Sequence, residues 1–290
     1  MMQFLANGIC NGAIFALVAM GFGLIYTTTG VFHLALGATY TLSAYFLFGL
    51  LINLKMPMLM SSCVAIMAAA IVGISIEWLV YRPLKRHNAT STVMMISSLG
   101  VYTVIVNFLV IICGNESVIL HSGTVATIDF HGITLTQIQI AQVIVAVLVI
   151  VLYQLFLRYT HLGRICRAVA DDSILASILG VKVEGTRLVV FAAGSFLAAI
   201  GAVLVAFDVG MDPSMGFPAV LVAAVACIVG GLHRFTAPAL GGFLLGMIQS
   251  LVVWRTSTKW ENAVTFAILI AFLSLRPQGL LGMRKRIEER

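Results

Sequence analysis

Residues 4–26 read FLANGICNGAIFALVAMGFGLIY, an uninterrupted stretch without a single charged side chain. A helix that crosses the ~30 Å hydrocarbon core of a bilayer needs about 20 such residues, so this segment alone is long enough to span one. No Lys or Arg precedes it, and its apolar run exceeds the core of a secretory signal, so it is expected to be a retained span.

Working outward, comparable stretches recur at about 31–54, 58–81, 92–113, 137–157, 187–208, 217–232, 238–254 and 262–275. The reading is an all-α integral membrane protein, a bundle of eight or nine transmembrane helices forming a single domain over residues 1–290. Some spans are expected to be broken or re-entrant: 31–54, which follows the Thr27-Thr28-Thr29-Gly30 break, and the closely spaced pair 217–232 and 238–254. The composition agrees. Of 290 residues, 61% are hydrophobic and 10% charged, with a mean hydropathy of +1.07, too little polar surface to cover a water-soluble globule. The longest polar interruptions are 114–136, read as a strand-and-turn loop around Ser122-Gly123 and His131-Gly132, and 158–186.

The 17 Lys and Arg against 11 Asp and Glu are placed unevenly. Arg82, Lys85 and Arg86 share one loop, and Arg158, Arg164, Arg167, Lys182 and Arg187 another. Arg234 sits in a turn, and Arg276, Arg284, Lys285, Arg286 and Arg290 in the tail. Only Lys55, Arg255 and Lys259 fall in the alternate connections. Cations are retained on the cytoplasmic side of a membrane, so these loops and the carboxyl terminus are expected there. With nine spans the amino terminus lies outside; with eight, its side changes. The basic balance therefore marks orientation and does not indicate nucleic acid.

Ionisable groups within spans usually mark ion or proton relays, and none sits mid-span here. Glu77 is the nearest, and with Arg82 five residues on it is expected to form a local ion pair or to act as a functional carboxylate. No HExxH, no GxSxG and no GxxxxGK loop followed by Ser or Thr is present, so neither catalysis nor nucleotide binding through those arrangements is expected. If the protein's work uses energy, another polypeptide is expected to supply it. Cys10, Cys63, Cys113, Cys166 and Cys227 lie far apart without a CxxC pair, which points to small buried hydrophobes and to no metal or cofactor. Gly8 with Gly12, Gly242 with Gly246, and the row Ala223, Cys227, Gly231 have the spacing that lets helix backbones approach closely in lipid.

Residues 162–187 read LGRICRAVADDSILASILGVKVEGTR. Asp172 is a helix N-cap, Ile174, Leu175, Ile178 and Leu179 form an apolar stripe, and Gly180 supplies a left-handed stop. The product is a short amphipathic helix on the basic side. It either lies in the headgroups, helped by Arg164 and Arg167, or inserts as a knob into a groove of a partner.

At this point the residues resemble a family. Ala176 and Gly180 match the Ala-x-x-x-Gly end of the cytoplasmic coupling loop of permeases in ABC importers, with Ile174 and Leu175 replacing that motif's acidic first position and first Ala. The whole chain resembles the branched-chain amino acid (LivH-type) permease family. The resemblance is carried by Glu77 with Tyr81-Arg82-Pro83-Leu84, by Ile96-Ser97-Ser98-Leu99-Gly100 with Asn107, and by Gly163-Arg164 through Ala168-Val169-Ala170. Asp212-Pro213-Ser214-Met215-Gly216, Gly230-Gly231, Gly241-Gly242 with Gly246, and Arg276-Pro277-Gln278-Gly279-Leu280 follow in order. Three departures remove polarity. His33-Leu34-Ala35-Leu36-Gly37 stands for the family's Asn-Phe-Ala-His-Gly, Val222 for a common Lys, and Gln249 for a common Glu.

The resemblance implies a permease subunit of an ATP-driven importer for branched-chain or other apolar amino acids. Its partners would be a second, related permease, two cytoplasmic ATPases and an extracytoplasmic solute-binding protein, in a bacterial inner membrane. A permease for urea or short amides, or a stand-alone facilitator, is the alternative. Irregular backbone at membrane depth is tolerated where it faces protein or a cavity, so solute-pathway residues are expected at the breaks. They are His33, Ala35, Gly37 and Tyr40; Ser97, Ser98, Gly100 and Asn107; and Met215 with Gly216. Each has plain helix packing as its competing role. Coupling to the ATPase is expected from Arg164, Arg167, Asp172, Ala176 and Gly180.

Overall fold

The structure, a computed structural model, describes residues 2–120, 127–130, 133–232, 234–275 and 279–281. Among them, seven helices are long and apolar enough to cross a membrane, and two shorter apolar helices accompany them. The long ones are α1 (Met2–Thr29), α2 (Leu36–Phe48, continued by a π-helical turn Gly49–Asn53) and α3 (Met58–Ile76). After α3 come a π-helical turn, Glu77–Tyr81, and the short α4 (Arg82–Arg86), and then α5 (Ser91–Cys113). A two-stranded antiparallel hairpin, β1 (Thr127–Phe130) and β2 (Ile133–Thr136), pairs Thr127 with Thr136 and leads into α6 (Gln137–Tyr159). The strands agree with the expected strand-and-turn loop; Ser122, Gly123, His131 and Gly132 lie outside the described residues.

Two connecting helices, α7 (His161–Asp171) and α8 (Ser173–Ile178), precede α9 (Val183–Asp208). The short apolar α10 (Gly216–Gly230), the long α11 (Ala237–Arg255) and α12 (Glu261–Leu275) complete the chain. Each expected stretch overlaps one of these helices, and of those matched, seven, all but α10 and α12, have the length and hydropathy of a membrane span.

Local chemistry sets the starts. Thr136 and Gln139 form a reciprocal capping box at α6, Thr160 accepts the Gly163 N–H at 3.0 Å to open α7, and Pro238 occupies the first turn of α11. Such caps satisfy N–H groups that a helix leaves without intrahelical partners, and a proline in the first turn forfeits none.

Helix α1 is the axis of the bundle, packed by α6, α9, α10 and α11. It crosses α11 on glycine: a Cβ at Gly12 would lie 2.9 Å from the Phe243 carbonyl oxygen, and one at Gly242 2.6 Å from the Ala16 nitrogen. The backbones themselves are the contact surface, as the small-residue spacing suggests. By contrast, α5 buries only Met94, Ser98 and Leu109, and Val104, Phe108 and Ile111 stand on its surface. With Met67 and Ile71 of α3 and Ile144, Val147 and Leu148 of α6, they make an apolar exterior. A water-soluble protein has no use for such a surface.

Cations of the basic loops gather around two cavities. Arg82, Lys85, Arg86, Lys182 and Arg187 line one cavity, and Arg158, Arg167 and Arg234 line another at the same end of the bundle. Arg276, Arg284, Lys285, Arg286 and Arg290 lie outside the described residues.

Candidate functional site

Helix α1 stops at Thr29, and Gly30 turns the chain with φ +70°. The irregular segment that follows is interior: Val31, His33, Leu34 and Ala35 are all buried. Buried backbone outside a helix must find partners, and Ser98 of α5 supplies them. Its hydroxyl oxygen accepts the Leu34 N–H at 2.7 Å and the Ala35 N–H at 3.4 Å, and its O–H donates to the Phe32 carbonyl at 3.4 Å. His33 is fully enclosed. Its Nδ1 shares a 2.7 Å hydrogen bond with the Tyr81 hydroxyl, and its ring meets Phe191 edge-on at 4.9 Å between centroids. Its Nε2 has no hydrogen-bond partner among the described residues.

One turn before Tyr81, Glu77 grips Arg187 of α9, with Nε to Oε1 at 2.5 Å and Nη2 to Oε2 at 3.2 Å. Both side chains are enclosed, Arg187 5% and Glu77 4% exposed. This corrects the expected local pairing of Glu77 with Arg82. Glu77 faces the interior against the first turns of α9, while Arg82 lies on the flank and pairs with Glu184. The true partner stands 110 residues away, beyond the reach of any local spacing rule. Two lone, opposite charges at the ends of apolar spans are the available signal.

The ten expected pathway residues fall into two groups. His33, Ala35 and Ser98 belong to the enclosed knot just described. Gly37 and Gly216 meet where α2 and α10 cross: a Cβ on Gly37 would lie 2.6 Å from the Gly216 carbonyl oxygen. Tyr40 is buried in the main core, and Met215 packs partly buried against it. On α5, Ser97 is half-buried, whereas Gly100 and Asn107 are exposed. A Cβ on Gly100 would meet nothing within 4 Å, and the Asn107 amide donates to the Thr103 carbonyl at 2.7 Å. Gly100, Thr103 and Asn107 recur at helical spacing and share one face.

The expected coupling residues lie together at the basic end. Buried Gly163, Cys166 and Val169 hold α7 against the bundle, leaving Arg164 and Arg167 exposed. Burial pushes the Cys166 thiol above its ordinary value, so it stays a neutral packing group. Asp172 Oδ1 accepts the Ile174 and Leu175 N–H groups at 2.8 and 3.0 Å, opening α8. Closure is by a left-handed cap. Gly180 has φ +87°, its N–H bonds to the Ser177 carbonyl, and the Val181 N–H returns to Ala176 at 3.0 Å, the paired bonds of a Schellman stop. Ala176 faces inward and is buried, whereas Ile174, Leu175, Ile178 and Leu179 are each more than half exposed. Among the described residues, no group of three His, Cys, Asp or Glu side chains converges to hold a metal ion.

Comparison with known proteins gives a consistent result. The family described as branched-chain amino acid transport system, permease component, matches residues 4–273. The chain is 30% identical to the high-affinity branched-chain amino acid transport system permease protein LivH of Salmonella typhimurium, over 99% of this chain and 97% of that relative. It is equally similar to BraD, the corresponding permease protein of Pseudomonas aeruginosa, over the same shares. A probable branched-chain amino acid transport permease protein of Methanocaldococcus jannaschii is 27% identical over 96% of this chain and 92% of its own length. No solved structure matches the chain.

Proposed function

Since the chain belongs to the branched-chain amino acid transport permease family, we propose that it is one of two transmembrane subunits of an ATP-driven importer for branched-chain or other apolar amino acids. The relatives are transport permease components, and this chain carries that role. A second, related permease completes the solute pathway, two cytoplasmic ATPases drive it, and an extracytoplasmic solute-binding protein loads it. We take all nine apolar helices as crossing a bacterial cytoplasmic membrane, α10 and α12 included. The cation-rich end and the carboxyl terminus face the cytoplasm.

The observation that carries the reading is α8. It is capped by Asp172, stopped by Gly180 and presents Ile174, Leu175, Ile178 and Leu179 outward. Four aliphatic side chains on so short a helix are unfavourable in water, and a groove on an ATPase that receives them explains their exposure. Arg164 and Arg167 stand beside it as rim charges. For the solute, the two groups of expected pathway residues take different parts. His33, Ala35, Gly37, Tyr40, Ser98 and Gly216 hold the broken helices in place. The open face of α5, with Gly100 and Asn107 beside the half-buried Ser97, is the wall along which a zwitterionic solute passes between the two permeases, and the half-buried Met215 packs with the first group.

The test is uptake of radiolabelled leucine by membrane vesicles that contain the complete importer. Gly180→Val forces a β-branched residue into a left-handed conformation that disfavours it by roughly 1–2 kcal/mol. It is expected to abolish most uptake while the subunits still copurify and ATP is still hydrolysed. Asn107→Leu is expected to raise the solute concentration needed for half-maximal uptake without touching ATP hydrolysis. Wild-type uptake by the Gly180 variant would remove α8 as the docking element, and wild-type uptake by the Asn107 variant would remove the α5 face as the pathway.

A further inference from the structure

Beside α8 lies a cavity of about 620 Å3 whose walls come from three elements. The stretch from the π-helical turn after α3 through α4 contributes Glu77, Arg82, Lys85 and Arg86; the α8 segment contributes Ser177 and Val181; the cap and first turns of α9 contribute Lys182, Glu184, Arg187 and Leu188. Five cations therefore face two carboxylates. Both carboxylates are already committed, Glu77 to Arg187 and Glu184 to Arg82. No carboxylate lies within ion-pair distance of Lys85, Arg86 or Lys182 among the described residues. In addition, the Arg82 Nε is buried without a hydrogen-bond acceptor among the described residues, although a buried donor normally has one.

Three cations and a guanidinium donor with no partner among the described residues, around one cavity, call for an anion with several oxygen acceptors, which is the chemistry of a phosphate. The setting indicates where the phosphate comes from. Met67, Ile71, Ile74 and Trp78 form an exposed apolar stripe along α3. That stripe ends at Trp78, one turn before Arg82, followed by Lys85 and Arg86. An aliphatic helix face that gives way to Trp and then to Arg and Lys has the order of hydrocarbon, interface and headgroup layers.

We propose that this cavity binds the phosphate of an anionic phospholipid, whose acyl chains lie along Ile71, Ile74 and Trp78. The lipid supplies the acceptor that Arg82 lacks and neutralises Lys85, Arg86 and Lys182. Because Ser177 and Val181 belong to the same wall, the headgroup also buttresses α8 from behind, away from its exposed aliphatic face. The site is separate from the solute pathway and independent of which amino acid is carried, but it requires α3 to be a membrane span.

The experiment is native mass spectrometry of the full chain, with whatever subunits copurify, titrated with phosphatidylglycerol and with phosphatidylcholine. The wild type is expected to hold one phosphatidylglycerol far more tightly than the triple variant Lys85→Gln, Arg86→Gln, Lys182→Gln. Each cation near an anionic headgroup contributes roughly five-fold, so the loss is on the order of 100-fold. Phosphatidylcholine binding is expected to be the same in both proteins. Lys85→Arg with Lys182→Arg keeps the charge and should keep the lipid, which separates lost recognition from a damaged fold. Equal phosphatidylglycerol affinity in wild type and triple variant would overturn the proposal, and so would loss of lipid in the charge-conserving variant. Displacement of the lipid by millimolar inorganic phosphate would assign the cavity to a free anion and also overturn it.

Discussion

Two short irregular pieces of this chain, 30–35 with its surroundings and 172–181, solve opposite problems. The first is polar and is kept inside: His33, Ser98, Tyr81, Glu77 and Arg187 are buried around a break between helices. The second is apolar and is kept outside, with Ile174, Leu175, Ile178 and Leu179 exposed on α8. In the knot almost every polar group has its partner within the chain, so its chemistry is complete. In the knob the backbone is fully capped while the side chains are left open, so its chemistry is complete only with something added. An interior satisfied from within suits the anchoring part proposed for the first piece, and an exposed aliphatic face suits the docking part proposed for the second.

The largest effect expected from breaking this contrast is at Glu77. Glu77→Ala leaves the Arg187 guanidinium enclosed without its carboxylate, and removing one partner of a buried pair destabilises by about 3–5 kcal/mol. Little folded protein is expected in detergent extracts followed by size-exclusion chromatography. The double variant Glu77→Leu with Arg187→Met replaces both charges by apolar groups of similar size and should recover most of the loss. A Glu77→Ala protein as thermally stable as the wild type would mean that the pair does not anchor α3 to α9.

A smaller effect is expected at Tyr81. Tyr81→Phe keeps the ring packing against His33 and Phe191 but withdraws the hydroxyl that meets Nδ1 at 2.7 Å. The imidazole Nε2 is already without a partner among the described residues, so the variant leaves both ring nitrogens unsatisfied. The expected cost is about 1–3 kcal/mol, read as a lowered melting midpoint of the purified protein. His33→Phe in the same background should restore part of it, because an apolar ring then fills an apolar site. No change in midpoint would show that the hydroxyl and imidazole do not support one another.

The same contrast explains what is legible in the sequence. Hydropathy is local, so each span, including the 4–26 stretch, can be located from its own residues. Caps are local too: Asp172 and Gly180 announce both ends of α8, and both cap it as expected. The knot is not legible, because its bonds join Glu77 to Arg187, His33 to Tyr81 and Leu34 to Ser98 across long separations. His33 on a segment expected to be broken reads equally well as a pathway group or as an interior ring. The Tyr81 hydroxyl that meets its Nδ1 is placed by the π-helical turn from Glu77 to Tyr81, which no local pattern announces. Gly37 and Gly216 stand in segments that the sequence marks as irregular, but their meeting is a property of how α2 and α10 cross.

The smallest effect is the most discriminating for the knob. Asp172→Ala removes the carboxylate that accepts the Ile174 and Leu175 N–H groups, and loss of such a cap costs about 1 kcal/mol. Because α8 is only six residues long, that is enough to leave it frayed for much of the time, yet α8 contributes little to the packing of the bundle. The melting midpoint should therefore scarcely move, while leucine uptake falls several-fold. Asp172→Asn and Asp172→Ser, which retain a capping oxygen, should keep most of the uptake. If all three variants lose uptake equally, the carboxylate itself contacts the partner. If none does, the four aliphatic side chains do not need a preformed helix to dock, and the contrast between a finished interior and a poised surface fails at its exposed end.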